Sequence, residues 1–161
     1  MPAVWKPNVT VAAVVEHDGR FLLVEEDTPD GIRLNQPAGH LDPGETPLDA
    51  AIRETLEETA RAFTPRALLG IYMARSASAG PASEREPVTY LRFAFVGTVD
   101  EAEPGRSLDH GIRRTLWLTA DEIRARLAEH RSPLVMKCID DYVAGQRFPL
   151  SVVYAHPSVV A

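Results

Sequence analysis

Hydrophobic and polar positions alternate between two periods along this chain, and the switches mark out its elements. Residues 9–16, VTVAAVVE, are β-branched and apolar. Asp18 and Gly19 then form a two-residue turn signal before RFLLVEE at 20–26. Two such runs around Asp-Gly predict a β-hairpin, because that dipeptide tolerates the positive φ angles a tight hairpin needs. Residues 27–31 read as a turn, 32–36 as a short strand, and 37–44 as a loop. From Pro47 to near Ala60 the period becomes helical. Thr46 serves as cap, Pro47 needs no N–H in the first turn, and Asp49 stands at the capping-box position.

Beyond the helix, residues 67–74 (ALLGIYMA) predict a strand and 75–87 a polar surface loop. Residues 88–99 (VTYLRFAFVGTV) alternate as a long central strand. Residues 100–110 form an acidic loop, and 113–119 a further strand. Thr119 and Glu122 make a capping box for a helix over 120–130. Ser132-Pro133 opens a last helix that stops at Gly145. Strands before, between and after helices predict an α/β fold, a mixed sheet with helices on both faces, as one domain over 1–161.

Composition narrows the function classes. Hydrophobic residues make up 45% and charged residues 25% of the 161 positions, ordinary for a globular protein. No apolar run is long enough to span a bilayer, and the N-terminus lacks a basic stretch followed by an apolar core, so a cytoplasmic protein without a membrane partner is expected. A net charge of −6 argues against polymeric nucleic acid as a partner. The lone Cys138 excludes an intramolecular disulfide and reads as a buried thiol. The five histidines lack zinc-ligand spacing.

The chemistry concentrates in residues 39–61, GHLDPGETPLDAAIRETLEETAR. Glu54, Glu57 and Glu58 are related by i, i+3 and i+4, so their carboxylates project from one side of the helix. Leu48, Ile52, Thr55, Leu56 and Thr59 form the expected core-facing stripe about 150° away, which would leave the acids facing outward. Like charges so crowded repel by a few tenths of a kcal/mol per pair, a penalty a hard divalent cation would remove. Arg53 can form a bidentate pair with a carboxylate, and Glu45, just before the helix, is the candidate.

Gly39, Glu45, Arg53, Glu54, Glu57 and Glu58 together follow G-x5-E-x7-R-E-x2-E-E, a pattern expected by chance about once in 10⁷ to 10⁸ starts. This segment resembles the Nudix box. Two positions depart from the family pattern: Thr55 replaces a bulky aliphatic residue and Ala60 replaces glycine. Segments outside the box, KPNVTVAAVV, LLVEE, LNQPAGHL, YLRFAF, RSPLV and GQRFPL, are similar to a bacterial phosphatase subgroup of that family.

The resemblance implies a Nudix-type α/β/α sandwich and magnesium-dependent hydrolysis, manganese being an alternative metal. The subgroup implies nucleoside tri- and diphosphates, thiamine pyrophosphate and its hydroxymethylpyrimidine precursor as substrates, with release of phosphate. It further implies Glu54, Glu57, Glu58 and a backbone carbonyl at Ala38 or Gly39 as metal ligands, with Glu54 and Glu58 the firmer ones, and a Glu45–Arg53 pair supporting the loop before the helix. The general base is either Glu57 in the box or a loop acid, with Asp109 preferred to Glu84 and Glu86.

Tyr72, Tyr90, Phe93, Phe95 and Trp117 are mostly core, leaving one or two to stack on a substrate. Arg33 and Arg92 are candidates for phosphate contact, although solvated surface arginine is the default reading. Substrate-binding residues stay unassigned, and a monomer or homodimer fits equally. Two other functions stay open: a pyrophosphatase of ADP-ribose or another nucleoside diphosphate derivative, and a nucleotide-binding regulator without turnover. The run SQPWPFP of NADH-cleaving relatives is absent, and Pro81 lies too late for the ADP-ribose pattern.

Overall fold

The computed structural model describes residues 1–76 and 86–161. Eight strands and three helices among them follow the order β1 (Asn8–Val14), β2 (Glu16–His17), β3 (Arg20–Thr28), β4 (Gly31–Asn35), β5 (Ala38–His40), α1 (Pro47–Thr59), β6 (Phe63–Arg75), β7 (Thr89–Val99), β8 (Ile112–Leu118), α2 (Ala120–Ala125) and α3 (Leu134–Val143). The strands divide into two sheets. One has the order β5-β1-β7-β6, with β1 and β7 parallel and the other pairs antiparallel, and so is mixed. In the other, β3 pairs antiparallel with β2, β4 and β8.

Alternation along β1 creates the layers. Val11, Ala13 and Val15 pack with Ala50, Ala51, Phe63, Leu68 and Phe95 on the α1 side. Ala12 and Val14 pack with Ala94, Ile123, Val135 and Ile139 on the α2 and α3 side. A strand whose two faces are both covered reads as a continuous apolar run, as VTVAAVV does. Cys138 lies fully inside the second cluster, where burial raises its thiol pKa.

Asp18 and Gly19 have φ of 49° and 78°, the left-handed pair that a two-residue hairpin turn requires. Thr46 Oγ1 accepts from the Asp49 N–H at 3.1 Å, and Thr119 with Glu122 forms a complete capping box. Four expectations need correction. Residues 38–40 form β5 instead of loop, because this stretch pairs with β1. β6 begins at Phe63, since Pro65 is tolerated at a register shift on an edge strand. α2 ends at Ala125, with a 3₁₀ turn over Leu127–Glu129, because the chain must bring His130 and the Arg131 N–H to Leu34 of β4.

The fourth correction concerns the buried face of α1. Ala50, Ala51, Glu54, Thr55, Glu58 and Thr59 are buried, whereas Ile52 is 36% exposed. Small side chains let the helix approach the sheet closely, and this draws Glu54 and Glu58 beneath β5 in place of leaving them outward. Thr55 donates its hydroxyl to the Ala51 carbonyl at 2.7 Å, which satisfies a polar group where the family pattern has an aliphatic one. Ala60 caps the helix with φ 57°, a left-handed conformation that explains why glycine is usual there.

Candidate active site

The loop before α1 is fixed at both ends. Ala13 N–H donates to the Pro37 carbonyl and Leu41 N–H to that of Val9, so β5 runs along β1 and faces the middle of α1. Glu45 turns back and accepts the Asp42 N–H at 2.8 Å. The same carboxylate receives Arg53 through two bonds, from Nε at 3.0 Å and Nη2 at 2.7 Å. The sequence-derived Glu45–Arg53 pair is therefore present in bidentate form. It holds the Glu45 carboxyl below the usual carboxylate range and raises Arg53 further.

Arg53 also reaches the acids beside it. Its Nη1 donates to Glu54 Oε1 at 2.9 Å and Glu57 Oε2 at 3.1 Å, while Nη2 donates to the His40 carbonyl at 3.0 Å. One guanidinium thus joins the loop before the helix to two of its carboxylates. Gly39 is packed so tightly against Glu54 that a Cβ there would overlap the carboxylate. Only a residue without a side chain permits this approach.

Residues 100–111 lie across the end of α1. Glu103 N–H donates to the Ala60 carbonyl at 2.8 Å and Asp109 N–H to that of Glu57 at 2.9 Å, while Asp27 N–H holds Gly111. These bonds carry Asp109 to the box: one carboxylate oxygen each from Glu54, Glu57 and Asp109 falls within a group no more than 4.8 Å across. Among the loop acids of the sequence reading, Asp109 is thus brought in. Glu86 is exposed, and Glu84 lies outside the described residues.

Glu58 stands beside this group. Its Oε2 accepts the Ala38 N–H at 3.0 Å. Burial pushes its carboxyl up to about 9, and the neighbouring Glu26, Glu54 and Asp109 add to the rise against that N–H. Burial likewise raises Glu54, opposed by Arg53 and reinforced by Glu57 and Asp109. Burial and neighbouring negative charge both disfavour the ionised acids, a cost a hard divalent cation would offset, and three convergent oxygens suit one that keeps several waters.

Glu26 was not singled out by the sequence, although LLVEE contains it. It lies on β3 across from Glu58, its carboxyl raised by burial and paired with Arg131 at 3.0 Å. Arg92 corrects the surface reading, being 5% exposed. Tyr72 and Phe95 are core as anticipated, whereas Tyr90, Phe93 and Trp117 are partly buried. Tyr90 lies 6.3 Å from the exposed His40 ring, and Trp117 lies under Arg61.

The remaining similar segments dock on this frame. Gln146 donates to the Leu69 carbonyl at 2.9 Å, and Phe148 exchanges two 2.8 Å backbone bonds with Leu68, so GQRFPL extends the edge at β6.

Comparison with known proteins agrees with this layout. A family model described as NUDIX domain matches residues 5–138. Phosphatase NudJ of Escherichia coli strain K12 and that of Shigella boydii serotype 4 are each 38% identical over 149 residues, covering 92% of this chain and 92% of theirs. A NUDIX hydrolase structure from Nitrosomonas europaea is 54% identical with a TM-score of 0.85, covering 94% of this chain and 98% of that one. An ADP-ribose pyrophosphatase from Streptococcus suis shares the fold at 13% identity and a TM-score of 0.62, covering 89% of this chain and 96% of that one. Fold and site define a hydrolase acting on phosphorus anhydrides. The chain belongs to the NUDIX, or Nudix, domain family.

Proposed function

We propose that the protein is a magnesium-dependent phosphatase of nucleoside tri- and diphosphates and of pyrophosphate esters such as thiamine or hydroxymethylpyrimidine pyrophosphate, working as one domain on small molecules. The convergence of Glu54, Glu57 and Asp109 at the end of α1 carries the hydrolytic part of this reading. The likeness to NudJ phosphatases over nearly the whole chain supports the substrate range.

A bound magnesium or manganese ion would offset the charge of phosphate oxygens and acidify a water. The chain's own residues supply the rest. Glu54, Glu57 and Glu58, with the carbonyl of Gly39, are the ligands proposed for that ion. Arg53 keeps the first two carboxylates at fixed angles, and Glu45 fixes Arg53. Asp109 is the proposed general base, held by its N–H on the end of α1 and free of any arginine partner among the described residues.

The test is a substrate panel of nucleoside di- and triphosphates, thiamine pyrophosphate, ADP-ribose and NADH with magnesium, resolving orthophosphate from pyrophosphate and mononucleotides. Orthophosphate from nucleotides and thiamine pyrophosphate is expected. Cleavage confined to ADP-ribose or NADH would move the protein to another substrate class, and nucleotide binding without turnover would make it a regulator.

A further inference from the structure

Arg92 on β7 is 5% exposed, yet among the described residues it forms no ion pair. A buried guanidinium keeps its charge, so it needs bonds that repay its loss of water. Those bonds go to neutral groups: Nη1 donates to Gln36 Oε1 at 2.9 Å and contacts Cys138 Sγ at 3.9 Å, and Nη2 donates to Asn35 Oδ1 at 2.9 Å. Gln36 in turn donates to the Val135 carbonyl at 2.8 Å, tying the same point to α3.

Asn35 ends β4 and Gln36 follows it, and two residues later the Ala38 N–H meets Glu58 and Gly39 meets Glu54. We propose that Arg92 is a positioning residue: by clamping Asn35 and Gln36 it fixes residues 35–39 and thereby the relative placement of Glu54 and Glu58, without touching substrate. A core whose sole need was packing would be served by an apolar side chain of similar volume. The fork of an arginine, by contrast, specifies two acceptors at once, which a lysine cannot reproduce. The proposal rests on the hydrolase site described above, and its test separates the two.

Arg92→Met and Arg92→Lys are compared with the wild type in three measurements: melting, manganese binding followed by the spin resonance of free Mn²⁺, and kcat and KM for a nucleoside triphosphate with magnesium. Both variants are expected to keep KM within about threefold, to lose at least tenfold in kcat, and to bind manganese at least fivefold more weakly. Gln36→Leu should act in the same direction, and the Gln36→Leu/Arg92→Met pair should be no worse than Arg92→Met, because both break one clamp. Should Arg92→Met prove unstable, Arg92→Lys carries the test.

A KM raised with kcat unchanged would overturn the proposal in favour of direct substrate contact. Unchanged kinetics and manganese affinity with a lowered melting temperature would reduce Arg92 to a packing role. A wild type that binds manganese but hydrolyses none of the panel would refute the enzymatic reading, while the manganese comparison would still decide the role of Arg92.

Discussion

Raising the pH in the presence of a chelator should destabilise this protein, and magnesium should abolish the effect. Glu58 carries the argument: its folded carboxyl is pushed up to about 9 from 4.5, chiefly by burial. Between those values the folded state holds a proton that the unfolded state has released. Stability therefore falls as pH rises across that window, by about 1.4 kcal/mol per pH unit for one proton. From pH 6 to 8 the loss is about 2.7 kcal/mol, equivalent to about 5–10 °C in melting temperature for a chain of this length. Glu54 and Glu26 are also raised and act with the same sign. Glu25, lowered to about 2 by Arg114 and Arg126, and Glu45, lowered by Arg53, act below pH 4.5 and leave the window clear. Thermal melts at pH 6, 7 and 8 with chelator and with saturating magnesium provide the assay. Glu58→Gln should flatten the chelator series and melt above wild type at pH 8. A chelator series that is flat or rises with pH in the wild type would refute the reasoning.

Four further outcomes follow from the same geometry. Gly39→Ala should lower kcat at least a hundredfold and cost about 1–3 kcal/mol in urea melts, because its methyl group meets the Glu54 carboxylate. Arg53→Met should lower kcat by a similar factor, and a double-mutant cycle with Glu45→Gln should show coupling above about 1 kcal/mol in stability, since the pair is bidentate and largely covered. Asp109→Asn should depress kcat at least a hundredfold while leaving the chelator melting temperature unchanged or slightly higher, because it removes repulsion with Glu54 and Glu57. Ile139→Ala should cost about 2–5 kcal/mol in urea melts and leave the KM of the folded protein unaltered, since Ile139 is fully buried on the core face of α3.

What the sequence disclosed is local chemistry and period. The Asp18-Gly19 hairpin, the caps at Thr46 and Thr119, the apolar run of β1 and the alternation of β7 are set by neighbouring residues, and each is where the pattern put it. The gathering of acids on α1 was legible because helical spacing fixes it, and the Glu45–Arg53 pair through the family pattern. Thr55 and Thr59 are buried as expected, but the face of α1 was misplaced toward Ile52 because isoleucine outweighs alanine on any hydrophobicity scale, whereas close packing favours Ala50 and Ala51. β5 escaped notice because three residues carry no period, and only pairing with β1 makes them a strand. Arg92 stands 56 residues from Gln36 and 57 from Asn35 in sequence, so nothing local could reveal a clamp that the sheet register assembles. Asp109 was nameable as a loop acid, but its approach depends on backbone bonds to Ala60 and Glu57 that no spacing encodes.

One divalent cation held by Glu54, Glu57 and Glu58, with Asp109 beside it as base, is the central claim. Crystals grown without metal, soaked in manganese and measured at the manganese absorption edge test this most directly. An anomalous peak within coordination distance of the Glu54, Glu57 and Glu58 carboxylates is expected, and it should be lost in Glu54→Gln. A peak that avoids Glu54 and Glu57, or no peak at millimolar manganese, would contradict it.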